Sequence, residues 1–191
     1  MSEPLTDEEL AAVTVGGLQR LDGPVELADP DPSWPDQYDT EAAYVRAILG
    51  DRVLRLEHVG STSVPGLPAK PIIDMLLIVA DPADEDDYVA PLEAAGYTLR
   101  IREPDWHQHR LLRGPRVKIN LHVFGPDCVE IGRMVGFRDW LRANDEERDL
   151  YLDTKRELAG RTWDYLQRYA DAKGEVVEAI IARAQAAGYG S

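Results

Sequence analysis

The sequence predicts an α+β protein in which a sheet-forming part is followed by a helical part. Between residues 53 and 124, short apolar or alternating segments are separated by turn residues, which is typical of strands. Beyond Pro126, apolar residues recur at three- and four-residue intervals, which is typical of helices. The 191 residues fit a single domain. We divide it into an N-terminal extension (1–28), an α/β core (29–126) and a helical C-terminal part (127–191).

The helices follow from cap residues, apolar periodicity and glycine stops. Thr6 and Glu9 have the spacing of a capping box, in which each side chain bonds the backbone of the other. Ser33 is a suitable N-cap for the next helix, because Pro35 is well tolerated in a first helical turn. The predicted helices span residues 6–13, 33–49, 84–95, 130–143, 145–158 and 163–187, with Gly174 as a potential break in the last.

The strands follow from apolar runs and from alternation. Residues 72–79 are apolar apart from Asp74, so we expect a central strand that is buried on both faces. Lys118, Asn120 and His122 alternate with apolar residues and therefore share one face of a strand that a Gly-Pro turn joins to its neighbour. The predicted strands span residues 25–27, 53–59, 72–79, 97–102, 107–112 and 117–124.

The charge balance limits the classes of partner. The formal net charge is -14, and duplex nucleic acid or an anionic membrane requires a basic surface. We therefore expect neither as the main partner. A small phosphorylated ligand stays possible, because a few buried basic residues are enough to make a local positive pocket.

The compartment is inferred from the cysteine content and from the N-terminal residues. Cys128 is the single cysteine, which rules out an internal disulfide and fits a reducing environment. No apolar run approaches the roughly 20 residues that span a bilayer. The first ten residues are acidic, unlike a secretory signal. We expect a cytoplasmic protein.

A turn between two predicted strands is the main candidate for a ligand site. It consists of Gly60, Ser61, Thr62 and Ser63. Glycine permits a tight turn in which N–H groups and hydroxyls converge on an anion, and Lys70 adds positive charge. In the alternative interpretation this is a capped turn that only connects two strands, with Lys70 and Asp74 at its rim.

Asp74 and His122 are the candidate chemical groups. Neighbouring strands would bring them to one face, where they could share a divalent cation such as Mg²⁺ or Mn²⁺, or where His122 could act as an acid or base. In the alternative, His122 is a half-buried, hydrogen-bonded histidine and Asp74 caps a turn. His107 and His109 lie two apart on a predicted strand, but no third ligand is evident, so a solvent-facing pair is favoured.

A second basic cluster lies in the helical part. Arg138 and Arg142 are four residues apart, so their guanidinium groups project from one helix face and suit a phosphate or a carboxylate. Lys155 on the next helix could join them. The alternative is an ordinary surface pair between Arg142 and Asp145 or Glu146, which would contribute little to stability.

Several nucleotide-binding and catalytic motifs are missing. The sequence has neither the P-loop pattern G-x-x-x-x-G-K-[ST] nor the G-x-G-x-x-G fingerprint after a strand. G-x-S-x-G and H-E-x-x-H are also absent. ATP binding in the P-loop manner and dinucleotide binding are therefore not expected.

The run HVGSTSVPGLPAKPIID at residues 58–74 resembles the signature of the GrpB family. The segments LHV at 121–123 and FRDWLR at 137–142 agree with it, and the resemblance covers roughly residues 25–187. This family also appears as the domain fused behind dephospho-coenzyme A kinase in some bacteria. These 191 residues do not include a kinase half, so the resemblance does not imply coenzyme A synthesis.

The resemblance implies a nucleotidyltransferase-like fold, with a mixed sheet flanked by helices. Nucleotidyltransferases carry a Gly-Ser turn, then Asp-x-Asp on a strand, then a third acidic residue on a later strand. Gly60, Ser61 and Asp74 match this pattern, whereas Leu76 occupies the second acidic position and the later strand offers His122 with an asparagine. Two-cation nucleotidyl transfer needs several carboxylates.

The sequence therefore supports three hypotheses about function. The leading hypothesis is binding of a nucleotide or other phosphorylated small molecule at the turn, with metal-assisted transferase activity. Ser61, Thr62 and Ser63 would contact phosphate, while Lys70 and Arg138 would supply charge. The competing class is a non-catalytic binding or folding-assistance module that keeps a degenerate version of the fold. The third is a hydrolase or transferase that uses the histidine as a base without a metal.

Overall fold

A mixed five-stranded sheet lies at the centre of the computed structural model, which describes residues 5–18, 20–21 and 23–190. The strands in chain order are β1 (Arg55–Val59), β2 (Ile73–Ile78), β3 (Thr98–Glu103), β4 (His109–Arg113) and β5 (Ile119–Phe124). Their order across the sheet is β1-β2-β5-β4-β3. Strands β2 and β5 run parallel, whereas the β1–β2, β4–β5 and β3–β4 pairs are antiparallel. The predicted α+β class is confirmed.

Helices cover both faces of this sheet. They are α1 (Asp7–Val13), α2 (Trp34–Leu49), α3 (Glu85–Ala94), α4 (Val129–Ala143), α5 (Asp145–Ala159), α6 (Leu166–Ala172) and α7 (Gly174–Ala186). Apolar residues of α2 and α3 pack with Met75 and Leu77 of β2 in the largest core cluster. Leu76 and Ile78 point to the opposite face and pack with Ile131 of α4. The central strand is therefore buried on both faces, as its apolar sequence predicts.

The register of the parallel pair places the candidate side chains together. Asp74 lies beside Asn120, and Leu76 lies beside His122. Because side chains alternate along a strand, these four residues share the face that carries α4. The alternation of the β5 sequence thus predicts the correct face. Lys118 lies just before β5 and is exposed.

Cap and turn chemistry explains several helix boundaries. The Thr6 side chain accepts a bond from the Glu9 N–H and the Glu9 carboxylate accepts one from the Thr6 N–H, so the predicted capping box is confirmed. Ser33 is the N-cap residue of α2, but its side chain makes no capping bond. The last predicted helix is divided at Gly174, and its first part begins at residue 166 rather than 163.

One predicted strand is absent, and the strands predicted to begin at residues 53, 107 and 117 begin two residues later, at 55, 109 and 119. Residues 25–27 form no strand, and only an isolated bridge joins Ala28 to Ala69, because nearby prolines remove backbone donors. Strand β4 begins at residue 109 rather than 107, because His107 and Gln108 both have φ of 54° and form a left-handed turn. His107 and His109 therefore do not face the same way along a strand.

Residues 1–4, 19 and 22 of the predicted N-terminal extension, and residue 191 of the predicted C-terminal part, lie outside the described residues. Within the described ranges, none of the helices combines the length and the apolar character needed to cross a bilayer.

Candidate active site

A cavity of about 330 Å³ lies between the Asp74 face of the sheet and the helical part of the chain. We call it the sheet-face cavity. Its floor includes Asp74, Asn120 and His122, its rim includes residues 60–62, and residues of α1 and α6 close the remaining sides. Three regions that are distant in sequence therefore contribute to one concave site.

The Gly-Ser-Thr-Ser turn directly follows β1 and includes a short 3₁₀ helix over Ser61–Ser63. Gly60 has φ of 68°, and a Cβ atom at this position would lie 2.9 Å from the Asp74 Cβ and 3.0 Å from its Cγ. Both the backbone conformation and the close approach to Asp74 require glycine. The turn is therefore built against the carboxylate on the next strand.

The hydroxyls of this turn have different roles. Ser63 donates to the Gly60 carbonyl at 2.6 Å, and Thr62 donates to the Ile72 carbonyl at 3.3 Å, so both hydroxyls hold the turn itself. Thr62 also bonds the Nε2 atom of His58 at 3.0 Å. The Ser61 hydroxyl accepts a bond from the Lys155 ammonium at 3.2 Å and lines the cavity. Of the three hydroxyls, that of Ser61 is the best placed for a ligand.

Positive side chains gather at this cavity although the chain as a whole is strongly acidic. Lys70 and Lys173 both line it and lie over the ring of Tyr169, with ammonium-to-centroid distances of 5.3 and 4.7 Å. Arg100 and Arg113 line it from the sheet. Burial, reinforced by the charge of Lys173, lowers the pKa of Lys70 to about 8. An added anion would relieve this repulsion.

Lys155 is a buried cation behind the turn. It is 2% exposed and donates to the Pro68 carbonyl at 2.6 Å in addition to Ser61. Burial, followed by the charges of Lys173 and Lys70, lowers its pKa to about 7. The sequence predicted Lys155 near the candidate site, and the structure places its ammonium against the turn.

Arg138 and Arg142 also contact the turn region, but their contacts are with protein groups. Arg138 donates to the Glu57 carboxylate at 2.8 Å and to the His58 carbonyl at 2.9 Å. Arg142 donates through two nitrogens to the Ser63 carbonyl, at 2.7 and 3.0 Å. Its ion pair is with Asp139 at 3.5 Å rather than with residue 145 or 146. The two arginines brace β1 and the turn from the α4 side.

Asp74, Asn120 and His122 form the polar floor of the cavity. Asn120 donates to Asp74 Oδ1 at 2.8 Å, and the Nε2 atom of His122 lies 3.9 Å from the same oxygen. Burial favours the neutral carboxyl, but the adjacent His122, the hydrogen bond from Asn120 and the charge of Lys70 outweigh it and lower the pKa of Asp74. The carboxylate is therefore ionised at neutral pH.

His109 and Glu103 extend this floor across the sheet. His109 Nε2 lies 3.1 Å from His122 Nδ1, and His109 Nδ1 lies 2.6 Å from a Glu103 carboxylate oxygen. His109 is 4% exposed, so the expectation of a solvent-facing histidine is wrong. The turn at residues 104–108 folds back and covers it with Trp106.

The donor set does not fit a two-cation centre. Leu76, at the position of the second acidic residue, is fully buried in an apolar cluster. Within the described part of the chain, no three His, Cys, Asp or Glu side chains are grouped so as to hold a metal ion. It stays a prediction that Asp74 and His122 share one Mg²⁺ or Mn²⁺ ion.

This sheet, with a Gly-Ser turn before an aspartate-bearing strand, defines a protein of nucleotidyltransferase-like fold. The solved structure of Cid1 in complex with its short product ApU aligns with a TM-score of 0.52, covering 71% of this chain and 43% of that one. At 11% identity, this likeness concerns the fold alone.

The chain belongs to the GrpB family, whose model, described as GrpB protein, matches residues 24–183. The crystal structure of conserved protein GrpB from Enterococcus faecalis aligns with a TM-score of 0.74 at 34% identity, covering 83% of this chain and 96% of that one. UPF0157 protein BH1888 of Halalkalibacterium halodurans is 56% identical over 185 residues, which are 97% of this chain and 95% of that protein. The resemblance in the signature run is thus confirmed.

A more distant relative is a longer protein. The dephospho-CoA kinase of Mycolicibacterium paratuberculosis is 32% identical in an alignment of 176 positions, gaps included, that covers 78% of this chain and 43% of the kinase. The similarity therefore concerns less than half of that protein.

Proposed function

We propose that the sheet-face cavity binds a nucleotide or another phosphorylated small molecule, with its phosphate groups at the Gly-Ser-Thr-Ser turn. The observation that carries the proposal is the concentration of Lys70, Lys173, Arg100 and Arg113 around one cavity in a chain of net charge -14. A local positive pocket in an acidic protein attracts a small anion while the rest of the surface repels polyanions.

The contacts suggest how a phosphate would be held. The Ser61 hydroxyl would bond a phosphate oxygen, and Lys70 and Lys173 would neutralise its charge. Lys155 would add charge from behind the turn, where its ammonium already lies 3.2 Å from the Ser61 oxygen. Arg138 and Arg142 would act by holding the turn, because their donors bond Glu57 and backbone carbonyls.

Transferase activity is the finer part of the proposal. Asp74 and His122 face the cavity, so they are the groups that would act on a ligand whose phosphates lie at the turn. A metal-assisted version would use one Mg²⁺ or Mn²⁺ ion held jointly by these residues and by phosphate oxygens. We place this activity in the cytoplasm, as the single cysteine predicts.

One observation favours a second candidate, a non-catalytic binding or folding-assistance module. Leu76 is packed against Val59 and Phe124, so the second carboxylate of nucleotidyl transfer is replaced by a core side chain. In that case the pocket would bind a ligand without converting it. Pull-down of a partner protein that Ser61→Ala and Asp74→Ala leave unchanged would favour this candidate.

Isothermal titration calorimetry tests the main proposal. The four ribonucleoside triphosphates and inorganic pyrophosphate are titrated into the protein with and without Mg²⁺ or Mn²⁺. We expect at least one of them to bind, and Lys70→Met to weaken its affinity about tenfold or more, because a charge-assisted phosphate contact is lost.

Lys118→Met is the matched control, since Lys118 is exposed and does not line the cavity. It removes the same charge and should leave affinity nearly unchanged. No binding by any of these ligands, or equal losses in the two variants, would contradict the proposal.

A further inference from the structure

The sheet-face cavity has two chemically different ends. Asp74 and Asn120 lie on β2 and β5, at the end beside the Gly-Ser-Thr-Ser turn. Leu111 and Ile101 line the cavity from β4 and β3, which continue the sheet away from that turn. Because neighbouring strands are about 4.8 Å apart, the three strand spacings from β2 to β3 amount to roughly 14 Å. A ligand that fills the cavity with its phosphate at the turn therefore extends over β4 and β3.

The end over β4 and β3 is mainly apolar. Leu10 and Leu111 are 5% and 8% exposed, yet neither is part of the apolar clusters formed by other buried residues of the described ranges. Both side chains line the cavity instead. Helix α6 has the same polarity, since Leu166 begins it and Lys173 follows it, about 10 Å further along the axis. The aliphatic side chains of this end are Leu10, Leu18, Ile101, Leu111, Leu166 and Ala170.

Helix α1 closes this end of the cavity and is held there from two sides. The N–H of Val15, two residues after α1, donates to the Arg100 carbonyl of β3 at 2.9 Å. From α6, Arg168 donates to the Leu5 carbonyl at 2.5 Å. These bonds fix the helix in the position in which Leu10 lines the cavity.

Two arginines border the aliphatic side chains of this end. Arg100 and Arg113 line the cavity from β3 and β4, the strands that carry Ile101 and Leu111. Aliphatic walls disfavour a sugar, because its hydroxyls would lose hydrogen bonds to water there. A guanidinium is attracted to the face of an aromatic ring, whereas an alkyl chain offers no such attraction. The two kinds of side chain together favour a flat aromatic ring.

We propose that this end of the cavity is a ring-binding subsite, that Leu10 forms one wall of it, and that the ligand is a phosphate ester of a flat aromatic group. The inference rests on the proposed function, which places the phosphate at the turn, and adds the class of group attached to that phosphate. The cavity volume of about 330 Å³ is near the lower end of the range for small-molecule pockets, roughly 300–1,000 Å³, so it accommodates one such ester rather than a dinucleotide. A nucleobase and a simple aryl group are two sources of such a ring.

Isothermal titration calorimetry with matched ligands tests the ring-binding subsite. Ribose 5-phosphate is compared with the four ribonucleoside 5′-monophosphates, and methyl phosphate is compared with 1-naphthyl phosphate, so that the ligands of each comparison differ by the ring. At least one ring-bearing ester should bind about tenfold or more tightly than its ring-free partner, because burial of the ring removes apolar surface from water. A gain in the nucleotides identifies the ring as a nucleobase, and a gain in naphthyl phosphate alone identifies it as a simple aryl group.

Leu10→Ala tests the wall that α1 supplies. It should weaken binding of the tightest ring-bearing ester about tenfold and leave its ring-free partner within about twofold, because only the ring loses apolar contacts. Leu111→Ala removes the same groups from the sheet side and should have the same effect, even if α1 loosens in the first variant. Leu5→Ala is the matched control, because Leu5 directly precedes the capping box of α1 and does not line the cavity. It should leave both affinities nearly unchanged.

The outcomes separate this inference from the proposed function. Binding of pyrophosphate and ribose 5-phosphate without any gain from a ring would overturn the ring-binding subsite and leave the phosphate site in place. Butyl phosphate that binds as tightly as the best ring-bearing ester would also overturn it, because an alkyl chain would then be sufficient. Equal effects of Leu10→Ala and Leu5→Ala would refute the role of Leu10. Absence of binding by every phosphorylated compound would refute the proposed function and the subsite together.

Discussion

Replacement of Gly60 by alanine should disturb both the stability of the protein and its ligand site. Gly60 has φ of 68° and ψ of -172°, a region that other residues adopt at a cost of roughly 1–3 kcal/mol. The new Cβ would lie 2.9 Å from the Asp74 Cβ, so Asp74 has to move. The bond from Asn120, now 2.8 Å long, would then be lost at a further cost of about 1 kcal/mol. The free energy of unfolding should fall by about 2–4 kcal/mol.

Gly66→Ala is the matched control for that variant. Gly66 has φ of 77°, but nothing lies within 4 Å of an added Cβ. It should lose only the backbone contribution, about 1–2 kcal/mol. Urea denaturation measures both variants, and pyrophosphate titration should detect weaker binding in Gly60→Ala alone. Equal losses of stability in the two variants, together with unchanged binding, would show that the Gly60 Cβ does not displace Asp74.

Two other predictions concern buried cations. The pKa of Lys155 is about 7 in the folded protein and near 10.5 in the unfolded protein. Between pH 7 and pH 10.5 the unfolded state therefore binds more protons than the folded state, so the free energy of unfolding rises with pH in this range. Between pH 7.5 and 9 the unfolding free energy of the wild type should rise by about 1 kcal/mol per pH unit more than that of Lys155→Met, and parallel pH profiles would contradict this. Arg138→Met should lower the free energy of unfolding by about 2–4 kcal/mol, because Glu57 and the His58 carbonyl lose a buried charged donor. Urea denaturation with exposed Arg156→Met as control measures this loss, and equal stability of the two variants would count against a bracing role.

Much of the ligand site could be predicted from local sequence patterns. The apolar run of β2 and the alternation of β5 depend on periodicity, and periodicity determines which side chains share a face. The sequence alone therefore predicts that Asp74 and His122 share one face, and the pairing of β2 with β5 confirms it. The Gly-Ser-Thr-Ser turn follows β1 as expected, because its residues are small and its glycine permits a positive φ.

The remaining site residues depend on tertiary packing that no local pattern encodes. Lys173 reaches the cavity because α6 and α7, between which it lies, pack against α5, and Arg113 reaches it through the edge hairpin. His109 was expected in solvent, yet a turn without glycine covers it. In that turn His107 and Gln108 adopt a positive φ, which their residue types do not signal strongly. Glu103 was missed for the same reason, because its contact with His109 depends on that turn.

The roles of Arg138 and Arg142 illustrate a limit of face arguments. Their spacing on α4 predicts correctly that both reach one region, and both do contact the segment around the turn. The spacing does not reveal whether their donors have protein acceptors. Glu57 and the Ser63 carbonyl supply such acceptors, and only the packing of α4 against β1 brings them close.

The central claim is that phosphate groups bind at the Gly-Ser-Thr-Ser turn. A crystal structure of the protein grown with the nucleotide that binds most tightly tests it most directly. We expect density for a phosphate between the Ser61 hydroxyl and the ammonium of Lys70, with the rest of the ligand inside the sheet-face cavity. Ligand density at another surface, or an empty turn at a saturating concentration, would contradict it.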